Sequence, residues 1–279
     1  MRLTLQPDRC RHLTPSRLVW LALALLLVLS SDATAARAAT LLATPPPALA
    51  ADSLIREALE AEGRFDSQQA LEAFFRADAA NPNNGFILQK ISRQYSDLTN
   101  EASDVAGKKR LCVEALAYGK RAAELNPHDA VTVLSLAICY GKLGLYSDIR
   151  TRIEYSRSVR QLAEQALALN PDYDYAHHVL GRWHYEVASL GAGTRFFVKL
   201  IYGSLPPAST AAAVRHLERA VELSPELPSH RTELGLALLA DGQRDAARRT
   251  LEHALTLPVK EKHDDEARAR AREALVKLK

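Results

Sequence analysis

Aromatic residues make up only 6% of this 279-residue chain, while alanine and leucine dominate. That balance argues against a β architecture, which draws on β-branched and aromatic side chains, and favours helix. Cysteine is equally sparse. Of the three, Cys10 lies near the N-terminus, which leaves Cys112 and Cys139 with no CxxC pair and no histidine spacing suited to zinc. No G-x-S-x-G occurs, and no local context suggests a Ser/His/Asp or Cys/His set. Gly191-Ala192-Gly193 lacks both the strand before it and the third glycine of a phosphate-binding loop. The sequence therefore names no catalytic residue, no metal ligand and no cofactor site, and the expectation is a binding protein rather than an enzyme. Charge of one sign is also missing. The net charge is +3, and the first 35 residues hold two of that excess (Arg2, Arg9, Arg11 and Arg17 against Asp8 and Asp32), leaving +1. A broad nucleic-acid surface is not expected from such a balance.

Long apolar runs are absent except for Leu18–Leu29, twelve residues preceded by four arginines. A spanning helix needs roughly 20 apolar residues. Small residues follow, with Ala33-Thr34-Ala35 and Ala36-Arg37-Ala38 as A-x-A sites. Basic start, short apolar middle and small-residue exit are the parts of a secretory signal peptide, so 1–38 reads as a signal peptide, with an uncleaved signal anchor as the other reading. Export, to a periplasm or the outside, follows in either case. Residues 39–51, with Pro45-Pro46-Pro47, read as a linker, and 52–279 as the folded domain.

What the sequence does have is a recurring phrase, an alanine followed five residues later by proline, usually as Asn-Pro. It occurs at Ala77…Asn81-Pro82, Ala122…Asn126-Pro127, Ala166…Asn170-Pro171 and Ala220…Ser224-Pro225. Proline cannot continue a helix and disfavours helical dihedrals in its predecessor, so each phrase ends one helix before the next begins. Upstream, Ala70, Phe74 and Ala77 share a helix face, as do Ala213, Leu217 and Ala220. Downstream, Leu136-Ala137 with Tyr140, Leu180-Gly181 with Trp183 and Leu234-Gly235 with Leu238 open second helices whose small residues allow close approach. Gly63, Gly144 and Gly242 fall at the turns between paired helices. Helix-turn-helix with L-G-x-x-Y, A-x-x-x-F and a closing proline is the tetratricopeptide (TPR) signature. The expected fold is an all-α, TPR-like solenoid of about five helix pairs, closed by a capping helix near Asp264–Lys279. The four prolines are 45, 44 and 54 residues apart, against a unit of about 34, so the central repeats are elongated.

The extra residues carry a resemblance. His178–Ala213, HVLGRWHYEVASLGAGTRFFVKLIYGSLPPASTAAA, joins an LGRW-x-Y helix, an arginine-bearing apolar stretch and a PP-A-S-T helix start. With the block EALAYGKRAAELNPHDAVTVLSLAICYGKLGLYSDIRTRIE, where Leu134 stands near the usual tryptophan, it resembles the regulator of microtubule dynamics family over about Gln89–Lys279. The resemblance implies a TPR-like domain, an association with microtubules and organelle membranes, and phospholipid as a ligand in one member. The bacterial-style leader departs from that setting, and microtubules are a partner only if the family name applies.

Two functional readings follow. The first is recognition of a protein or peptide in a concave groove lined by the first helix of each pair, which places Phe86, Gln89 and Arg93 of one repeat and Tyr175, His178, Arg182 and Tyr185 of another at the partner. Arg182 has an alternative role, pairing with an acidic residue across the groove. The second is a lipid-binding or lipid-shuttling module built on the insert 191–207, with Phe196, Phe197 and Tyr202 as apolar contacts and Arg195 and Lys199 one turn apart for an anionic head group; a helix packed on the solenoid is the plainer expectation for that insert. His177 and His184 align on one helix face, but two ligands without a carboxylate make packing or exposure the expected role. Asp264-Asp265-Glu266 suits a helix N-terminus. Cys112 and Cys139 reach similar heights on adjacent helices, with separate buried thiols as the expected state.

Overall fold

The computed structural model describes residues 47–203 and 206–278. Every regular element among them is a helix: α1 (Pro47–Gly63), α2 (Ser67–Ala80), α3 (Gly85–Leu98), α4 (Val105–Leu125), α5 (Ala130–Gly144), α6 (Ile149–Leu169), α7 (Asp174–Ala188), α8 (Ala192–Tyr202), α9 (Thr210–Leu223), α10 (Pro228–Ala240), α11 (Arg244–Thr256) and α12 (Asp264–Lys277). The helices α1/α2, α3/α4, α5/α6, α7/α9 and α10/α11 pack as pairs. The first helices touch in succession, α3 on α5, α5 on α7, α7 on α10, and α12 extends that row. This is the expected solenoid of five pairs and a cap. The added length goes into α4 and α6, of 21 residues each, and into α8, inserted within the fourth pair. The leader lies outside the described residues. The first helix begins inside the segment 39–51 expected as linker. Pro47 opens it, where a missing N–H leaves no bond unmade, and Ala51 is already buried.

The recurring alanines explain themselves in the packing. Ala77, Ala122, Ala166 and Ala220 are each fully buried, and each carbonyl accepts the last helical bond from the Asn or Ser four residues on. A larger side chain there would hold neighbouring helices apart. Starts are fixed by side chains: Asp66, Asn84, Asp104, Asp129, Asp148 and Ser209 each accept an otherwise unpaired N–H of the first turn. The glycines of the Leu-Gly pairs mark the closest contacts. A β-carbon on Gly181 would stand 2.5 Å from Leu217 Cγ, and one on Gly235 2.5 Å from Leu251 Cγ. Among the turn glycines, Gly242 has φ of +84°, a conformation that glycine adopts without strain.

Cys112 and Cys139 share a cluster with Leu116, Leu136 and Leu143 between α4 and α5, and both are free thiols. α8 is inserted between α7 and α9. Its end is held where the Arg157 guanidinium donates to the Tyr202 carbonyl at 2.8 Å. Val198 is buried and Tyr202 half-buried, whereas Leu200 and Ile201 are 69% and 62% exposed.

Candidate functional site

The groove side of the solenoid is formed by α1, α3, α5, α7, α10 and α12, and the chain's own C-terminal loop reaches its near end. Residues 257–263, between α11 and α12, meet α3 and the α1–α2 turn through polar contacts between positions 161 to 195 apart in sequence. Arg93 Nη2 donates to Glu261 at 3.2 Å while its Nη1 faces Glu62 at 3.2 Å. His263 Nε2 lies 3.0 Å from Asp97, Lys262 Nζ donates to Ser67 and Glu101 at 2.5 Å, and Asn100 donates to Glu266 at 3.0 Å. The loop is shaped for this clasp by Asp264. Its buried carboxylate accepts the backbone N–H groups of Lys260 and Glu261 at 2.8 and 2.7 Å, a task beyond the helix-dipole role read from sequence.

Electrostatics hold Asp97 of the clasp in its charged form. Burial alone would push the Asp97 carboxyl up, but the His263 hydrogen bond and the charges of Lys142, His263 and Arg93 outweigh it and hold the group below the usual carboxylate range. Burial pushes the Lys142 ammonium down, and its Nζ donates to the Ser96 carbonyl at 2.7 Å. Between the loop, α3 and the α1–α2 turn lies a pocket of about 240 Å³, whose charged lining is Glu62, Arg93, Asp97, Lys260, Glu261 and Lys262.

A second polar cluster sits between α7 and α10. Glu233 is buried, takes two bonds from Arg270 and stands 3.8 Å from Arg182, and these arginines overcome its burial to keep it ionised. His178 Nδ1 lies 3.0 Å from His230 Nδ1, and His230 Nε2 3.2 Å from Asp174. Burial, then His230, pushes His178 down to about 3.

The residues expected at the groove therefore separate into different roles. Phe86 is 43% exposed, with Lys90 over its ring. Gln89 is buried and donates to Ser135 Oγ at 2.7 Å. Arg93 is shared among Glu62, Asp97 and Glu261. Tyr175 stacks edge-on with His230, and burial, then Glu261 and Asp174, pushes its hydroxyl above the usual tyrosine range. Arg182 takes the alternative role read from sequence, held by Glu186 at 2.8 Å and by Glu233 across the groove. Tyr185 packs on the C-terminal core. Arg93 and Tyr175, from different repeats, lie within reach of each other's charge, and Glu261 acts on both.

The model for regulator of microtubule dynamics proteins 1–3 matches residues 54–279. The chain belongs to that family. The match reaches further toward the N-terminus than the resemblance read from Gln89 onward. Among relatives, regulator of microtubule dynamics protein 1 of Bos taurus is 30% identical over 142 residues, 51% of this chain and 44% of that protein. Regulator of microtubule dynamics protein 3 of Mus musculus is 23% identical over 194 residues, 69% of this chain and 41% of that protein. The chain spans about half the length of the curated relatives it matches first. Among solved structures, a thermophilic TPR protein of Thermus thermophilus, TTC0263, superposes with a TM-score of 0.59 at 21% identity, covering 81% of this chain and 100% of that one, which bears out the TPR-like fold.

For this member of the regulator of microtubule dynamics family, the insert residues divide. Lys199 is exposed and Tyr202 half-buried, while the side chains of Arg195, Phe196 and Phe197 lie outside the described ones. His216 of α9, missed by the sequence reading, joins His177 at 3.1 Å and stacks on His184, yet among the described residues no three His, Cys, Asp or Glu side chains are grouped to hold a metal ion. Burial drives the Cys139 thiol up to about 11, and His230 is fully buried. The clasp was also missed, because ties between residues so far apart leave no periodic trace. Among the described residues, no helix is long and apolar enough to cross a membrane.

Proposed function

We propose that this chain is an exported, non-enzymatic scaffold that binds a protein or peptide segment on the groove side of its TPR-like stack. The observation that carries this reading is the clasped near end of the groove: exposed Phe86 stands on α3, the helix that also brings Arg93, Gln94 and Asp97 to the pocket, so that a polypeptide lying along it can gain an aromatic contact and polar partners together. The buried, protonated Cys139 thiol and the fully buried His230 support binding over catalysis. Phe86→Ala is the selective lesion, since Phe86 is not buried in a core cluster. Folding should survive while affinity for a partner crosslinked and recovered from the native host falls by about 1–3 kcal/mol. Unchanged affinity would remove the groove from the reading. The relatives' names make polymerised tubulin one partner to include, by co-pelleting. Export is tested by N-terminal sequencing, with a mature start near Ala36 or Ala39 expected and an intact Met1 rejecting cleavage.

One observation favours the lipid reading: α8 exposes Leu200 and Ile201 beside Lys199. Co-sedimentation with anionic vesicles, lost in Leu200→Glu/Ile201→Glu, would favour it over the scaffold.

A further inference from the structure

One residue of α3 has no task in the fold. Ile87, Ile91, Gln94 and Leu98 follow one another at spacings of four, three and four, the stripe by which α3 packs on the first helix pair. Three of the four are apolar members of that core. The fourth is a glutamine, fully buried, and neither its Oε1 nor its Nε2 has a hydrogen-bond partner in the protein. A leucine or methionine at this position would continue the stripe without burying an unpaired carboxamide, which is unfavourable for a folded chain. Gln94 also belongs to the wall of the pocket between the α1–α2 turn and the C-terminal loop, fully buried there, so that a ligand reaches its amide when a neighbouring lining side chain moves aside.

The rest of the lining narrows what would satisfy it. Three cations, Arg93, Lys260 and Lys262, face three carboxylates, Glu62, Asp97 and Glu261, so the site has no net charge to offer an ion. Glu62 is taken by Lys90 and Arg93, Asp97 by His263, Glu261 by Arg93, and Lys262 by Glu101. The pocket's 240 Å³ falls below the roughly 300–1,000 Å³ of sites for drug-sized ligands. It suits a single side chain or peptide unit. A free carboxamide presents one acceptor and a two-proton donor side by side, and its complement is another amide.

We propose that this pocket is a subsite for an uncharged amide group of a bound polypeptide, an asparagine or glutamine side chain or a main-chain peptide unit, paired with Gln94. The proposal rests on the scaffold reading and deepens it. Because the walls come from both sides of the clasp, occupancy also favours the clasped arrangement by mass action.

The test uses the full chain, with acetamide as probe for the side-chain source, N-methylacetamide for the main-chain source and acetate as the charged control. Nitrogen-15 NMR follows the side-chain NH₂ resonance of Gln94. Saturable shifts with either amide and none with acetate are expected, the tighter probe identifying the source. Q94L and Q94M should melt no lower than the parent, since each removes an unpaired buried amide, and should lose amide affinity by about tenfold or more. Amide binding that persists in both variants overturns the proposal, as does acetate acting equally, or no saturable shift with either amide. Both variants melting several degrees lower would also overturn it, because Gln94 would then be held by the protein itself. Partner capture retained in Q94L without amide binding removes this subsite alone and leaves the scaffold reading standing.

Discussion

Gly235→Ala should destabilise the C-terminal pair although alanine is the better helix former. The added methyl would lie 2.5 Å from Leu251 Cγ and 2.6 Å from its Cδ2, where carbon atoms normally rest about 3.5–4.0 Å apart. Leu251 must therefore retreat by about 1 Å or more in a close-packed interior. It is fully buried among Leu234, Leu238, Ala247, Ala271 and Ala274, so no flexible end can yield. Overpacking of this kind costs about 1–3 kcal/mol. The gain in helix propensity returns about 0.8–1 kcal/mol, leaving a net loss of up to about 2 kcal/mol. At about 2–4 °C per kcal/mol for a domain of this size, the melting temperature should fall by up to about 8 °C. Solenoids unfold in parts, so hydrogen exchange in α10 and α11 should be followed beside the melt; those helices should lose protection first. Gly63→Ala is the control, since a β-carbon there meets nothing within 4 Å. It should stabilise by about 0.4–1 kcal/mol. A Gly235→Ala protein as stable as its parent would refute the close-approach argument. A destabilised Gly63→Ala would show that backbone conformation, not packing, selects the glycines.

Acid should weaken the α7 contacts. His178 is pushed down to about 3 and His216 to about 4, both by burial first and neighbouring histidines second. Because the folded values lie below the unfolded value near 6.5, this stability is complete above about pH 6.5 and is lost as pH falls toward 4 and 3, by at most about 1.4 kcal/mol per pH unit for each histidine. Melting at pH 7.5, 6 and 5 should trace that decline, and a flat profile would contradict it. Arg182→Ala should lower the melting temperature, because it leaves buried Glu233 with Arg270 as its remaining arginine partner; a partner-binding defect without loss of stability would restore Arg182 to the groove. Asp97→Asn should loosen the clasp, costing about 1–3 kcal/mol, with protection in residues 257–263 falling before the core; unchanged protection there would argue against the clasp. Cys112 and Cys139 should stay unreactive toward maleimide until unfolding, since both are buried and burial raises both thiols.

The sequence by itself determined the helices and their order. Proline after Asn or Ser stops a helix wherever it occurs, and an alanine at a fixed distance before it faces the neighbouring pair, so Ala77, Ala122, Ala166 and Ala220 were legible without coordinates. These are local rules, acting over one or two turns. What they could not assign was the role of each polar residue on the groove face. Gln89, Arg93, Arg182 and Tyr185 share a helix side that spacing alone marks as one surface, yet they bond to Ser135, Glu62 and Glu261, Glu233, and the C-terminal core. Whether an arginine faces a partner or a carboxylate of its own chain depends on what the superhelix brings opposite it. Arg93 meets Glu261 across 168 residues, a distance over which no periodicity carries information. The clasp, the pocket beneath it and the unpaired amide of Gln94 were decided there, by how the stack curves and where its last loop lands.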